Sequence, residues 1–208
     1  MKKFIFISTL IIYVFFSSYN YAQEKDTLTY SEWNFGVETD LYFTDPFIFL
    51  PIIQANKGNL HIEARYNYED LKTVSGWIGY NFFGGDEFEY FITPMVGGAV
   101  GRTNGIAGGL EFNFGYIDFE LYSESEYLFD LESSENNFFY NWTDFTYSPL
   151  DWLWFGISAQ LTKVDQTELE IDRGLLLGTA YKNWQFTGYY YNSFSDDVFF
   201  MLSLITDF

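Results

Sequence analysis

From Trp33 onward, apolar and polar side chains alternate with a period of two. Trp33, Phe35, Val37, Leu41 and Phe43 interleave with Asn34, Gly36, Glu38, Asp40 and Tyr42. Leu60, Ile62 and Ala64 interleave with His61, Glu63 and Arg65, and Ile117, Phe119 and Leu121 with Asp118, Glu120 and Tyr122. The same holds for Leu153, Phe155, Ile157, Ala159 and Leu161 against Trp154, Gly156, Ser158, Gln160 and Thr162. It holds again for Val198, Phe200, Leu202 and Leu204 against Phe199, Met201, Ser203 and Ile205. A period of two belongs to strands, whose successive side chains point to opposite faces. Segments of about ten residues with this alternation, separated by turn residues, are the signature of a transmembrane β-barrel with its apolar face on lipid and its polar face on the lumen.

The connections fall into two classes that alternate along the chain. Those at 113–116, 147–151 and 181–184 are tight, whereas those at 130–136, 163–167 and 193–197 are longer and more polar. Transmembrane barrels carry short turns on one side and long loops on the other. The pattern predicts strands over 32–43, 47–54, 59–69, 73–83, 87–98, 104–114, 116–128, 137–147, 151–162, 168–181, 184–192 and 198–208. The expected fold is therefore all-β: an antiparallel up-and-down transmembrane barrel of about twelve strands. Ten is the alternative, because Pro51 sits inside the second segment and proline removes a ladder donor.

Composition narrows this further. The 208 residues include no cysteine, which excludes a disulfide framework, thiolate metal sites and a cysteine nucleophile. The formal net charge is -19, so the chain has no basic patch with which to bind nucleic acid. With 48% hydrophobic residues it is not an acidic disordered chain either. Met1-Lys2-Lys3 followed by an apolar run from Phe4 to Phe16 and a small polar stretch to Ala22 reads as a signal peptide. Cleavage after Ala22 would leave residues 23–208 as one barrel domain. Mean hydropathy is -0.07, and no apolar run after Phe16 is long enough for a membrane helix, so a membrane span must be made of strands.

Residues 198–208 end on Phe208, on the same face as Val198, Phe200, Leu202 and Leu204, with one break at Thr206. This segment resembles the C-terminal strand of Gram-negative outer-membrane β-barrel proteins. The resemblance implies insertion by the barrel assembly machinery and residence in the outer membrane, in contact with lipid and lipopolysaccharide. A secreted β-sandwich or lipocalin-like barrel would also alternate. It gives no reason, however, for so many aromatic residues near strand ends, where a membrane interface holds them: Trp33, Tyr42, Phe43, Tyr80, Phe82, Tyr140, Trp142, Tyr147, Trp152, Trp184 and Tyr189-Tyr190-Tyr191.

With the polar face turned inward, the lumen is expected to receive Glu38, Asp40, His61, Glu63, Arg65, Glu111, Asp118, Glu120, Glu124 and Glu126. Arg65 is almost alone among these carboxylates, so the lumen is expected to be wet, acidic and cation-favouring. The expected function is a small channel, or a barrel that binds a cationic or polyhydroxylated solute. The alternative is a structural or adhesive barrel with a plugged lumen, acting through acidic loops. A hydrolase is a third reading: His61 would be a general base beside Glu63 or Glu38. Its flanks, Asn59-Leu60-His61-Ile62-Glu63, match neither the His and Ser pair of barrel phospholipases nor the His with several Asp of barrel proteases. No catalytic residue, metal ligand or cofactor is assigned. Glu124, Glu126, Asp130, Glu132 and Glu135 gather near one long loop, where such density suits Ca²⁺ or ion-bridged lipopolysaccharide, but no Asp-x-Asp-x-Asp-Gly pattern accompanies them. The glycines from Gly97 to Gly109 lack the lysine of a phosphate loop and read as points of close approach in a barrel wall.

Overall fold

A computed structural model describes residues 32–208, and the leader expected over residues 1–22 lies outside them. The alternating segments form thirteen strands: β1 (Asn34–Phe43), β2 (Ile48–Lys57), β3 (Leu60–Tyr66), β4 (Val74–Tyr80), β5 (Phe82–Gly84), β6 (Phe88–Val100), β7 (Gly105–Tyr116), β8 (Phe119–Asp130), β9 (Phe138–Leu150), β10 (Leu153–Val164), β11 (Glu170–Tyr181), β12 (Trp184–Tyr191) and β13 (Phe199–Asp207). Both β4 and β5 pair with β6, at Gly79↔Met95 and Phe82↔Ile92. They are one stave interrupted at Asn81, so the wall has twelve staves. Each is antiparallel to its neighbours, and β1 closes on β13 from Gly36↔Asp207 to Phe43↔Phe200. Closure leaves the sheet without an open edge, which a hydrocarbon environment demands.

Residues 48–57 are a wall strand, so the count is twelve rather than ten. Pro51 lies one residue beyond the last β2–β3 pair, Ile52↔Arg65, where β2 has a ladder on one side only. That is the edge-like setting in which proline is tolerated. The tight turns at one end carry the positive φ that two-residue hairpins require, at Gly58 (φ 58), Ile117 (φ 56) and Lys182 (φ 58). The longer connections gather at the other end, the external side of an outer-membrane barrel.

The outward face is apolar, with Phe35, Ile53, Ile62, Ile78, Val96, Leu175 and Leu177 all exposed. One patch departs from this. Ser123 and Ser125 on β8 and Asn141 and Thr143 on β9 face outward at mid-strand and bond one another. Asn141 Nδ2 donates to both serine hydroxyls at 2.9 Å, and Ser123 Oγ lies 2.8 Å from Thr143 Oγ1. The patch satisfies its own polar groups, which is what makes it tolerable on a lipid-facing wall.

Large side chains fill much of the external half of the lumen. One buried cluster joins Trp77, Met95, Ala99, Ala107 and Leu128, and a second joins Trp142, Leu176, Tyr189, Tyr191 and Met201, with Tyr42, Tyr140 and Phe199 packed against it. This corrects the sequence reading of Tyr42, Tyr140, Trp142, Tyr189 and Tyr191 as interfacial. They lie on inward positions of their strands and fill the barrel. Glycine makes room for the indoles. A Cβ on Gly97 would stand 2.4 Å from Trp77 Cδ2, and one on Gly178 would stand 2.0 Å from Trp154 Cε2.

Candidate functional site: an acidic vestibule

Below the packed layer, towards the short turns, lies a cavity of about 690 Å³. Ser148, Asp151, Ala180 and Gln185 line its mouth, and Glu124 and Tyr68 its inner end. The alternation places the acids on it. Glu38 of β1, Glu63 of β3, Glu111 of β7, Glu120 and Glu124 of β8 and Asp144 of β9 all occupy inward positions and line the cavity, as does Asp151 beyond β9. No lysine or arginine is among the described lining residues.

The structure sorts the other expected lumen residues. Arg65, His61 and Glu126 are buried just beyond the cavity wall, and Asp40 is fully buried on β1. Asp118 is an exception to the expectation: it sits exposed in the tight β7–β8 turn. The tight turn expected at 113–116 falls at Ile117 and Asp118 instead, because β7 and β8 stay paired as far as Tyr116↔Phe119, so the alternation read from 116 onward runs through the turn.

Two polar networks form around these groups. In the first, the Arg65 guanidinium meets four carboxylates. Its Nε donates to Glu63 Oε1, while its terminal nitrogens lie 2.5 Å from Glu124 Oε1, 3.4 Å from Glu111 Oε1 and 3.5 Å from Glu126 Oε2. Its Cζ lies over the Tyr68 ring, 4.2 Å from the centre, and over that of Trp77 at 5.0 Å, two cation–π contacts that tie the charge to the aromatic layer. Tyr68 comes from the β3–β4 connection and packs edge-on against Tyr140, with ring centres 5.6 Å apart.

The second network is centred on Asp144. It accepts from Trp142 Nε1 at 2.8 Å, Ser158 Oγ at 2.5 Å and Tyr189 OH at 2.8 Å. Ser158 lies 2.7 Å from Tyr191 OH, and Gln160 Nε2 reaches both Tyr191 OH and Tyr42 OH at 3.2 Å. Asp144 was not among the expected lumen residues. The signal for it was present: it shares the parity of Tyr140 and Trp142. Assigning those aromatics to the interface concealed it.

Neither Asp40 oxygen has a hydrogen-bond partner, and Glu38 accepts from Ser203 at 3.2 Å. Of the acids grouped near the long β8–β9 loop, Glu124 and Glu126 point inward to Arg65. Asp130 instead caps its own loop, accepting from the backbone N–H of Glu132 at 2.9 Å and of Ser133 at 2.8 Å.

No protein-family model matches the chain, and no curated protein matches it in sequence. Solved structures do match it. The KdgM porin superposes with a TM-score of 0.59 at 14% identity, covering 83% of this chain and 98% of the porin. The KdgM porin in complex with disordered oligogalacturonate gives 0.62 at 15% identity, covering 83% and 99%. Omp33 of Acinetobacter baumannii gives 0.46 at 10% identity, covering 85% and 97%. The chain is a closed twelve-stave barrel that shares its fold with the KdgM porin, and its architecture is that of an outer-membrane protein.

Proposed function

We propose that the protein is a small outer-membrane channel-type barrel whose acidic vestibule admits cationic solutes from the side of the short turns. One observation carries this: the cavity is lined by seven carboxylates and, among its described lining residues, by no lysine or arginine. A carboxylate-lined passage with low-dielectric walls concentrates cations and repels anions. An acidic ligand such as the oligogalacturonate of the KdgM complex would be repelled here, so shared architecture does not carry over that solute. The reading involves no catalysis, since His61 is held between Asn56 and Glu63 deep in the wall. It also needs no nucleic acid and no cofactor. Insertion by the barrel assembly machinery and contact with lipopolysaccharide belong to the same proposal.

The packed aromatic layer favours a second reading, a barrel plugged on its external side that works through its surface. Proteoliposomes distinguish the two. The channel reading predicts faster entry of a small amine than of an acid of equal size, with the preference reduced in Glu38→Gln/Glu120→Gln. Exclusion of both solutes, or a preference for the acid, would contradict it.

A further inference from the structure

At the wall of the vestibule, Glu63 and Glu111, with His61 buried just behind them, present one ligand atom each, all within 4.8 Å of one another. His61 and Glu63 are two residues apart on β3, and Glu111 arrives from β7. From this geometry we infer that the three side chains form a binding site for a divalent metal ion of the Zn²⁺ type. The proposal rests on the vestibule being the cation-accessible chamber described above.

The state of the imidazole is one ground. Asn81 Nδ2 donates to Asn56 Oδ1 at 2.9 Å, and Asn81 Oδ1 accepts from Thr93 at 2.8 Å. Asn56 therefore presents its oxygen to His61 Nδ1, 2.9 Å away. An oxygen there requires Nδ1 to carry a hydrogen. In the neutral ring the Nε2 lone pair then points at Glu63 Oε2, 3.1 Å away. Two lone pairs at that distance repel unless a proton or a metal ion lies between them. A ligating histidine typically donates its other ring N–H to a carbonyl or carboxylate, and Asn56, held by Asn81 and Thr93, supplies that acceptor here.

The charge around the site is a second and independent ground. Glu63, Glu111, Glu124 and Glu126 share the single guanidinium of Arg65. Glu126 is only 2% exposed, and neither of its oxygens accepts a hydrogen bond; its ion-pair partner, Arg65, is 3.5 Å away. Buried carboxylates are paired or bind metal, and one cation among four leaves a negative excess that a divalent ion would offset. Glu63 gives Oε1 to Arg65, leaving Oε2 on the histidine side, so the carboxylate can bridge guanidinium and metal.

Ligand chemistry selects the ion. One imidazole nitrogen with carboxylate oxygens suits Zn²⁺ and its first-row neighbours, whereas Ca²⁺ and Mg²⁺ prefer all-oxygen shells. Glu63 and Glu111 line the cavity, so an ion can reach the site through the vestibule.

Titration of EDTA-treated, detergent-folded protein with Zn²⁺, followed by calorimetry, tests the proposal. One saturable equivalent per chain is expected, weakened at least tenfold in Glu111→Gln and in His61→Gln and unchanged in the turn variant Asp118→Asn. Co²⁺ in the same site should give visible d–d absorption that is lost in His61→Gln. Heat-modifiable gel mobility reports whether each variant is folded, and Glu111→Gln suffices if the histidine variant is not. Absence of a saturable equivalent, or binding indifferent to both substitutions, overturns the site. Solute entry in EDTA fails independently: a barrel that binds Zn²⁺ through these residues but admits no cation keeps the metal site and loses the channel.

Discussion

Arg65 is the residue on which the interior depends most. Of the described lysines and arginines, it alone is buried in the barrel, and four glutamates and two aromatic rings converge on it. Removing one partner of a buried ion pair leaves uncompensated charge and costs about 3–5 kcal/mol. Arg65→Met keeps an unbranched apolar stem and removes the charged guanidinium. It should lower the urea midpoint of unfolding by a corresponding amount at neutral pH. The deficit should shrink when Glu124→Gln is added, because that substitution removes part of the repulsion that Arg65 had offset. An equal deficit with and without Glu124→Gln would show that Arg65 acts by packing rather than by charge.

At the scale of the element, the β8–β9 pair bears on stability in lipid and β12 on the barrier inside the barrel. On β8 and β9 the outward Ser123–Ser125–Asn141–Thr143 patch is held together by the Asn141 amide, which serves both serines and the Glu124 carbonyl. Asn141→Ala should cost about 1 kcal/mol, the scale of side-chain hydrogen bonds in lipid. A bilayer-based unfolding titration would measure it, and an unchanged midpoint would mean that lipid headgroups or water replace the amide. Inside, β12 contributes Tyr191, which is completely buried, stacks on Phe199 with ring centres 4.8 Å apart and meets Ser158 and Gln160. Tyr191→Ala removes part of the layer between the vestibule and the external mouth. It should raise single-channel conductance several-fold, and unaltered conductance would place the barrier elsewhere.

These elements show how much the chain disclosed. The period-two pattern located every stave to within a few residues, because one face of each strand meets lipid and is apolar almost throughout. Pro51 caused doubt only because the missing β3 partner beside it is a tertiary fact. The inward carboxylates on β1, β3, β7 and β8 were legible from the same alternation, and Asp118 was misplaced where the pattern was extended through a turn. The vestibule as a half-barrel chamber was not legible. Aromatic side chains serve equally at an interface and in a packed lumen, and only the direction each one points separates Tyr190, exposed outward, from its buried neighbours Tyr189 and Tyr191.

For the whole molecule, charge distribution links architecture to activity. The chain carries 29 acidic and 10 basic residues, and the acids that line the cavity come from strands around much of its circumference. In the proposed channel the wall would provide a low-dielectric container, the carboxylates would set the sign of the potential within it, and the aromatic layer would limit how far a solute travels. The reversal potential of single channels in a planar bilayer under a KCl gradient tests this most directly. The account predicts small steps that reverse towards the K⁺ equilibrium potential, with the selectivity weakened in Glu38→Gln/Glu120→Gln. Reversal towards the Cl⁻ potential, or silence in both the wild type and Tyr191→Ala, would contradict it.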